Sequence, residues 1–322
     1  MTGILDFINA LQYTWLQRAM ISAILIGIVC SIIGVFIILR GMIFLGEALA
    51  HSAFAGAALA ILLGYNDPIF MIIAFGLITA LGVNYVNEKE IMKDEIIIGI
   101  SFTFFMALAV LFIGLMKSYT SSVQSILFGR ILLITTRNFV LLWITTFLVV
   151  GSILSLKKEF YFITFNESLA RTSGIPVTPL NYFFMILVAL SIDVSITAIG
   201  AILVFAMLVI PAAAAFQWTY EMNRMLIISP IFGILSTVGG LYVSFIYNLP
   251  SGATIVLLST GIFAISFIIS PKRRLIKNEL RTQLKDDESG QRGPHFHLAR
   301  EQSTDAFEKH MREKSLQVEE KS

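Results

Sequence analysis

Residues 19–39 read AMISAILIGIVCSIIGVFIIL, twenty-one consecutive positions without a charge. About 20 apolar residues in a helix cross the ~30 Å of hydrocarbon in a bilayer. Outward from this run the pattern repeats, predicting spans at approximately 19–39, 42–64, 67–86, 95–116, 138–156, 179–198, 200–217, 224–247 and 252–270. The boundary between 179–198 and 200–217 is weakly marked, so eight or nine spans are expected. The apolar segment 123–134 is interrupted by Gly129 and Arg130 and is too short for a full span. It reads as a re-entrant or interfacial hairpin. The fold class is therefore all-α, a polytopic transmembrane helix bundle.

Composition agrees. Of the 322 residues 57% are apolar and only 14% charged, whereas a soluble domain carries about a quarter charged residues. The charges cluster in the short connections. Arg40, Lys89 and Lys93, Lys157, Lys158 and Arg171, Arg224, and Lys272 to Arg274 fall on alternate loops. The excess of Lys and Arg in cytoplasmic loops assigns these loops to the cytoplasm, the N-terminus outside and the C-terminus inside; Arg130 and Arg137 are the exceptions. Residues 4–17, with Leu5, Ile8, Leu11 and Trp15, read as an amphipathic interfacial helix. No basic n-region precedes an apolar stretch, so no cleavable signal is expected. Two regions follow: a membrane domain over 1–271 and a charged tail over 272–322, whose mixed charges and few large apolar residues predict cytoplasmic disorder. In that tail His295, His297 and His310 read as incidental.

Inside the second span stands Gly46-Glu47-Ala48-Leu49-Ala50-His51. Glu47 and His51 are four residues apart and share one face of a helix, about 6 Å apart along its axis. Ionisable groups in hydrocarbon are costly and usually face a bundle interior or an aqueous path. Carboxylate plus imidazole is a ligand set for manganese, iron or zinc. A structural pair that pins neighbouring helices is the alternative. Gly46, Ala50, Ala53, Gly56, Ala57 and Ala60 allow close helix approach around it. Asp193, flanked by Ser191, Ser195 and Thr197, is either a second path residue or a solvated group near the outer interface. The lone Cys30 excludes an intramolecular disulfide and any CxxC motif and reads as a packing residue. Residues 160–176 mix Phe162, Phe165, Leu169 and Ile175 with Asn166, Glu167 and Arg171, the pattern of a short amphipathic helix that lies on the membrane or docks into a partner. No GxxxxGK[ST] phosphate loop, HExxH or dinucleotide fingerprint is present, so the chain is not expected to be an enzyme or to hydrolyse ATP itself.

Four stretches carry a family resemblance. They are GVFIILRGMIFLGEALAH at 34–51, residues 163–175, GAILVFAMLVIPAAAA at 200–215, and LPSGATIV at 249–256. In this order and spacing they resemble the integral membrane permeases of the zinc/manganese/iron family of ABC importers, over nearly all of 18–271. The resemblance implies a bacterial plasma (inner) membrane protein that moves a divalent transition metal as substrate, with no permanently bound cofactor. It also implies a second permease copy or paralogous permease, a cytoplasmic ABC ATPase that holds the ATP, and an extracytoplasmic metal-binding protein. Lipid is the remaining partner; nucleic acid is not one. Glu47 and His51 stand where the family's Asp and His line the metal path. Residues 163–175, with Phe165, Asn166, Glu167, Leu169, Ala170, Arg171 and Gly174, stand where its coupling helix meets the ATPase. Glu47 replaces an Asp, and Asn248 replaces an acidic residue common before the LPTGAT-like motif. A proton-coupled secondary transporter using Glu47, His51 and Asp193, and a non-transporting membrane scaffold, are the competing readings.

Overall fold

A computed structural model describes residue 9 and residues 12–65, 67–89, 91–116 and 134–270. Among these are eleven helices and no strand: α1 (Thr14–Leu39), α2 (Leu45–Leu62), α3 (Ile69–Glu88), α4 (Asp94–Gly114), α5 (Thr136–Ser155), α6 (Lys157–Phe165), α7 (Glu167–Thr172), α8 (Val177–Ile199), α9 (Ala201–Phe216), α10 (Met222–Tyr247) and α11 (Ser251–Ile269). Only a helix or a closed barrel satisfies every backbone N–H and C=O without water, which is why long apolar runs take this form. Eight of the helices are long and apolar enough to cross a membrane; the exception among the apolar ones is α9, with 16 residues. At 1.5 Å per residue α9 measures about 24 Å, short of the hydrocarbon thickness. The helices belong to one compact unit, Met1–Ile269.

The α1 helix is the hub, in contact with α10, α9, α5 and α8. It is nearly all apolar, so its neighbours are selected by fit rather than by an apolar stripe. Gly27 lies against Gly233 of α10, where an added Cβ would stand 2.9 Å from the Gly233 carbonyl carbon. One turn further along, the Ser229 hydroxyl donates to the Ser31 carbonyl at 3.0 Å. Trp15 meets Phe245 at 6.5 Å between ring centroids. These three pairings run in opposite order along the two helices, so α1 and α10 are antiparallel. A second group forms where the small-residue helix α2 packs on α3 and α4, and α3 packs on α8.

The polar contacts sort the bundle ends into two faces. Arg40 bonds Asn181 near the start of α8, and Thr178 donates to Glu88 at the end of α3. At the other end Arg18 donates to Thr136 at 2.8 Å and Arg137 pairs with Asp67. Arg137, an exception to the loop-charge alternation, thus has its counter-ion beside it.

All nine predicted spans correspond to helices. Gly200 decides the uncertain boundary: its φ of 84° and ψ of 159° end α8, and α9 starts at the next residue. Only glycine adopts that conformation without strain. Two expectations need correction. Residues 160–176 are not one amphipathic helix, because Asn166 leaves helical geometry (φ −155°, ψ 94°) and its side chain accepts from the Leu169 amide, capping α7 at 2.9 Å. Such a side-chain cap competes with continuation of the preceding helix. Trp15 and Gln17, read as part of an interfacial helix, lie in the first turns of α1. Residues 4–8, 10 and 11 of that expected helix, residues 123–133 of the hairpin and the tail from 272 lie outside the described residues.

The α1–α10 contact has no room for a side chain. Gly27→Val is expected to destabilise the protein by about 1–3 kcal/mol through overpacking. Gly82→Ala, where a Cβ meets nothing within 4 Å, should be neutral or slightly stabilising because alanine favours helix. Thermal unfolding of the two variants in detergent, compared with the wild type, reads both effects; equal melting would contradict the packing.

Candidate metal-path site

Glu47 sits in the first turn of α2 and His51 one turn later. Helix N-termini favour a carboxylate through their unpaired N–H groups. The two side chains meet, with His51 Nε2 3.0 Å from Glu47 Oε1. Glu47 retains 33% of its side-chain exposure and His51 16%. The second imidazole nitrogen, Nδ1, is buried and has no hydrogen-bond partner. With Nε2–H donating to the carboxylate, Nδ1 carries the free lone pair, the state in which imidazole binds a metal. The edge of the ring rests on Phe102 of α4, centroids 4.7 Å apart and planes at 78°. Alanine and glycine on the rest of α2 bring α3 and α4 close enough to hold this pair.

Glu47 opens onto a cavity of about 530 Å³ whose walls include Phe44, Ile98, Phe102 and Phe205. A second carboxylate, Glu95, enters it from the first turn of α4, one turn before Gly99. Glu95 was not singled out from the sequence, where it reads as an acidic residue opening a helix near Lys93. Only the packing of α4 on α2 turns it toward Glu47. Around it the outer face of α4 is apolar, with Ile96, Ile100, Phe104, Val110 and Leu111 exposed. Among the described residues no three His, Cys, Asp or Glu side chains gather closely enough to hold a metal ion. Glu47 and His51 by themselves offer two donor groups, an oxygen and a nitrogen.

Asp193 lies elsewhere. It is fully buried in α8, both carboxylate oxygens lack a hydrogen-bond partner, and it faces Gly76 of α3, where a Cβ would strike the carboxylate. It does not line the cavity onto which Glu47 opens. The reading of Asp193 as a solvated interface group does not fit this burial. Cys30 is also buried, its Sγ 3.8 Å from the Ser195 hydroxyl. Asn248 caps α10 in the left-handed region at φ 53°, a conformation asparagine tolerates better than most residues.

Of the residues expected to meet an ATPase, Phe165 and Leu169 are exposed, while Ala170 is fully buried. Glu167 and Arg171 pair along α7 at 2.7 Å, and Gly174 turns the chain at φ 81°. Beneath them Phe160 of α6 packs with Phe36 of α1 and Phe184 of α8, ring centroids 5.6–6.0 Å apart. The short helix pair is thereby anchored to the bundle.

Many apolar spans, with a carboxylate–imidazole pair whose carboxylate opens on a cavity between them, define a multi-pass membrane protein with a polar site inside its bundle. Residues 12–270 match the model of the ABC 3 transport family, and the chain belongs to that family. It is 38% identical over 273 residues to the manganese transport system membrane protein MntC of Listeria monocytogenes, covering 84% of this chain and 96% of that one. It is 38% identical over 281 residues to the manganese import system permease protein ScaB of Streptococcus parasanguinis, covering 86% and 99%. Among solved structures, PsaBC from Streptococcus pneumoniae in complex with Fab superposes with a TM-score of 0.75 at 36% identity, covering 86% of this chain and 99% of that one.

A buried carboxyl without a partner contributes no stabilising hydrogen bond. Asp193→Asn is accordingly expected to melt at or above the wild-type temperature. A drop of more than a few degrees would reveal a partner for the carboxylate.

Proposed function

We propose that this chain is the membrane-spanning permease subunit of an ATP-driven importer of divalent transition metal, with manganese as its cargo. The observation that carries the reading is the Glu47–His51 pair, whose carboxylate opens onto a cavity, in a chain whose near-full-length relatives are named for manganese transport. A mixed oxygen and nitrogen donor set suits manganese, and oxygen ligands favour it over softer metals. Two protein ligands hold an ion loosely, as a site that must release its cargo requires.

The face bearing Arg40, Lys89, Lys93, Lys157, Lys158 and Arg171 is the cytoplasmic one on the positive-inside rule, in a bacterial plasma membrane. ATP is hydrolysed on a separate ATPase that docks there, on the exposed side chains of α6 and α7. An extracytoplasmic metal-binding protein delivers the ion to the opposite face. A second permease, a copy of this chain or a paralogue, covers the groove containing Glu47 and Glu95. Carboxylates left facing hydrocarbon are costly, and a facing site from the partner completes the coordination. No proton gradient is needed for this cycle.

Cells expressing the chain with its partner ATPase in manganese-poor medium provide the test, read by elemental mass spectrometry. Glu47→Gln and His51→Ala, at wild-type membrane levels, should each lower manganese by about tenfold or more, the scale on which changes around a metal site act. A loss confined to zinc or iron would reassign the cargo. Unchanged content of all three metals would reduce the pair to a helix staple. Separately, Leu169→Asp places a charge on the docking side of α7 and should abolish co-purification of the ATPase while the permease still reaches the membrane. Undiminished co-purification would move the docking surface elsewhere.

A further inference from the structure

Arg40 stands where the site helix, the short helix pair and α8 converge. It caps α1, and the turn after it is rigid: Gly41 at φ 73° donates to the Ile38 carbonyl and Met42 to the Ile37 carbonyl at 3.0 Å. This is the paired closure of a Schellman motif, with glycine at the left-handed position. The α2 helix with Glu47 and His51 begins immediately afterwards, so its base is tied geometrically to Arg40.

The guanidinium makes three contacts on two other elements, α8 and α6. Nη1 donates to Asn181 Oδ1 of α8 at 3.1 Å, and Nε lies 3.4 Å from Thr164 Oγ1 of α6. Its plane stands 4.3 Å from the Phe184 ring centroid, a cation–π distance. Phe184 belongs to the same aromatic trio as Phe160 of α6, so one cation and three rings lock α6 to the end of α1. Burial draws the Arg40 pKa down to about 10, and the nearby Glu167 carboxylate opposes that shift; the group stays charged at neutral pH.

One donor is unused. Arg40 Nη2 is buried without a partner, as is Asn84 Nδ2 of α3. Both side chains line a cavity of about 270 Å³ that Glu167 and Asp94 also enter. Glu167 is held by Arg171 on its own helix at 2.7 Å. The carboxylate therefore has two alternative partners, Arg171 as seen and the vacant Nη2 of Arg40. A guanidinium accepts a carboxylate as a strong, oriented pair, and coupling between distant sites needs an element with two discrete arrangements.

We propose that Arg40 is the positioning residue that couples movement of the ATPase-facing pair α6–α7 to the Glu47–His51 segment, through exchange of Glu167 between Arg171 and Arg40. The inference rests on the permease function proposed above. It assigns the transmission to a named cation, whereas a purely structural Arg40 would only hold the helices in place.

The permease–ATPase complex in proteoliposomes, supplied with manganese and its binding protein, separates the two. Both ATP hydrolysed and manganese transported are measured. In Arg40→Gln, hydrolysis should continue while manganese moved per ATP falls by about tenfold, within the 5–150-fold span of typical couplings. Arg40→Lys should recover part of the ratio, and Glu167→Gln should lower it on its own. An unchanged ratio in Arg40→Gln overturns the proposal, as does a proportional fall of transport and hydrolysis together. If Arg40→Gln does not assemble, the double variant Thr164→Val, Asn181→Leu keeps the cation and removes its tethers. An unchanged ratio in that variant is equally decisive against the proposal. Absence of ATP-driven uptake by the wild-type complex would remove the permease reading itself, and this inference with it.

Discussion

In hydrocarbon a backbone amide has no water to bond, so each apolar segment must satisfy its own N–H and C=O groups before anything else is settled. That constraint makes every long segment here a helix. It also leaves little to hold the helices together, since lipid tails are as apolar as the leucines they would replace. What remains is close fit and a few polar contacts. The approach of Gly27 to Gly233, with the Ser229–Ser31 bond one turn away, is the contact around which α1 and α10 are set. Gly34 works in the same way against the Leu208 backbone of α9. With α1 surrounded, α2 has only one way to leave its end, through the turn at Arg40 and Gly41.

Polar side chains are placed where this scaffold tolerates them. Glu47 stands in the first turn of α2, where a helix start favours a carboxylate, and it takes His51 as a partner one turn on. Their environment is asymmetric: Phe102 shields the imidazole, while the carboxylate opens to a cavity that Glu95 shares.

At the Arg40 end the chemistry is different. Arg40, Asn84, Asp94, Glu167 and Asn181 share one cavity there, and the helices α6 and α7 are split by the Asn166 cap. The split leaves Phe165 and Leu169 exposed while Phe160 and Ala170 are buried. The pair is anchored on one side and open on the other.

The amino-acid sequence by itself determined the class, the helical segments within a few residues of their ends apart from the division of α8 from α9, and the pairing of Glu47 with His51. These depend on local quantities: run length against bilayer thickness, and the fixed four-residue repeat of a helix. It also determined family membership, because four motifs in order are a property of the chain alone. Only the tertiary structure decided that α8 and α9 divide at Gly200, since the local hydropathy on its two sides is the same. The break at Asn166 likewise follows from one side-chain cap within a continuous amphipathic pattern. The approach of Glu95 to the cavity of Glu47, the seclusion of Asp193 against Gly76, and the reach of Arg40 to Asn181 and Thr164 join residues far apart in the chain. In a bundle whose helices are apolar on every side, hydropathy has no preferred face, so close fit between helices settles which residues meet.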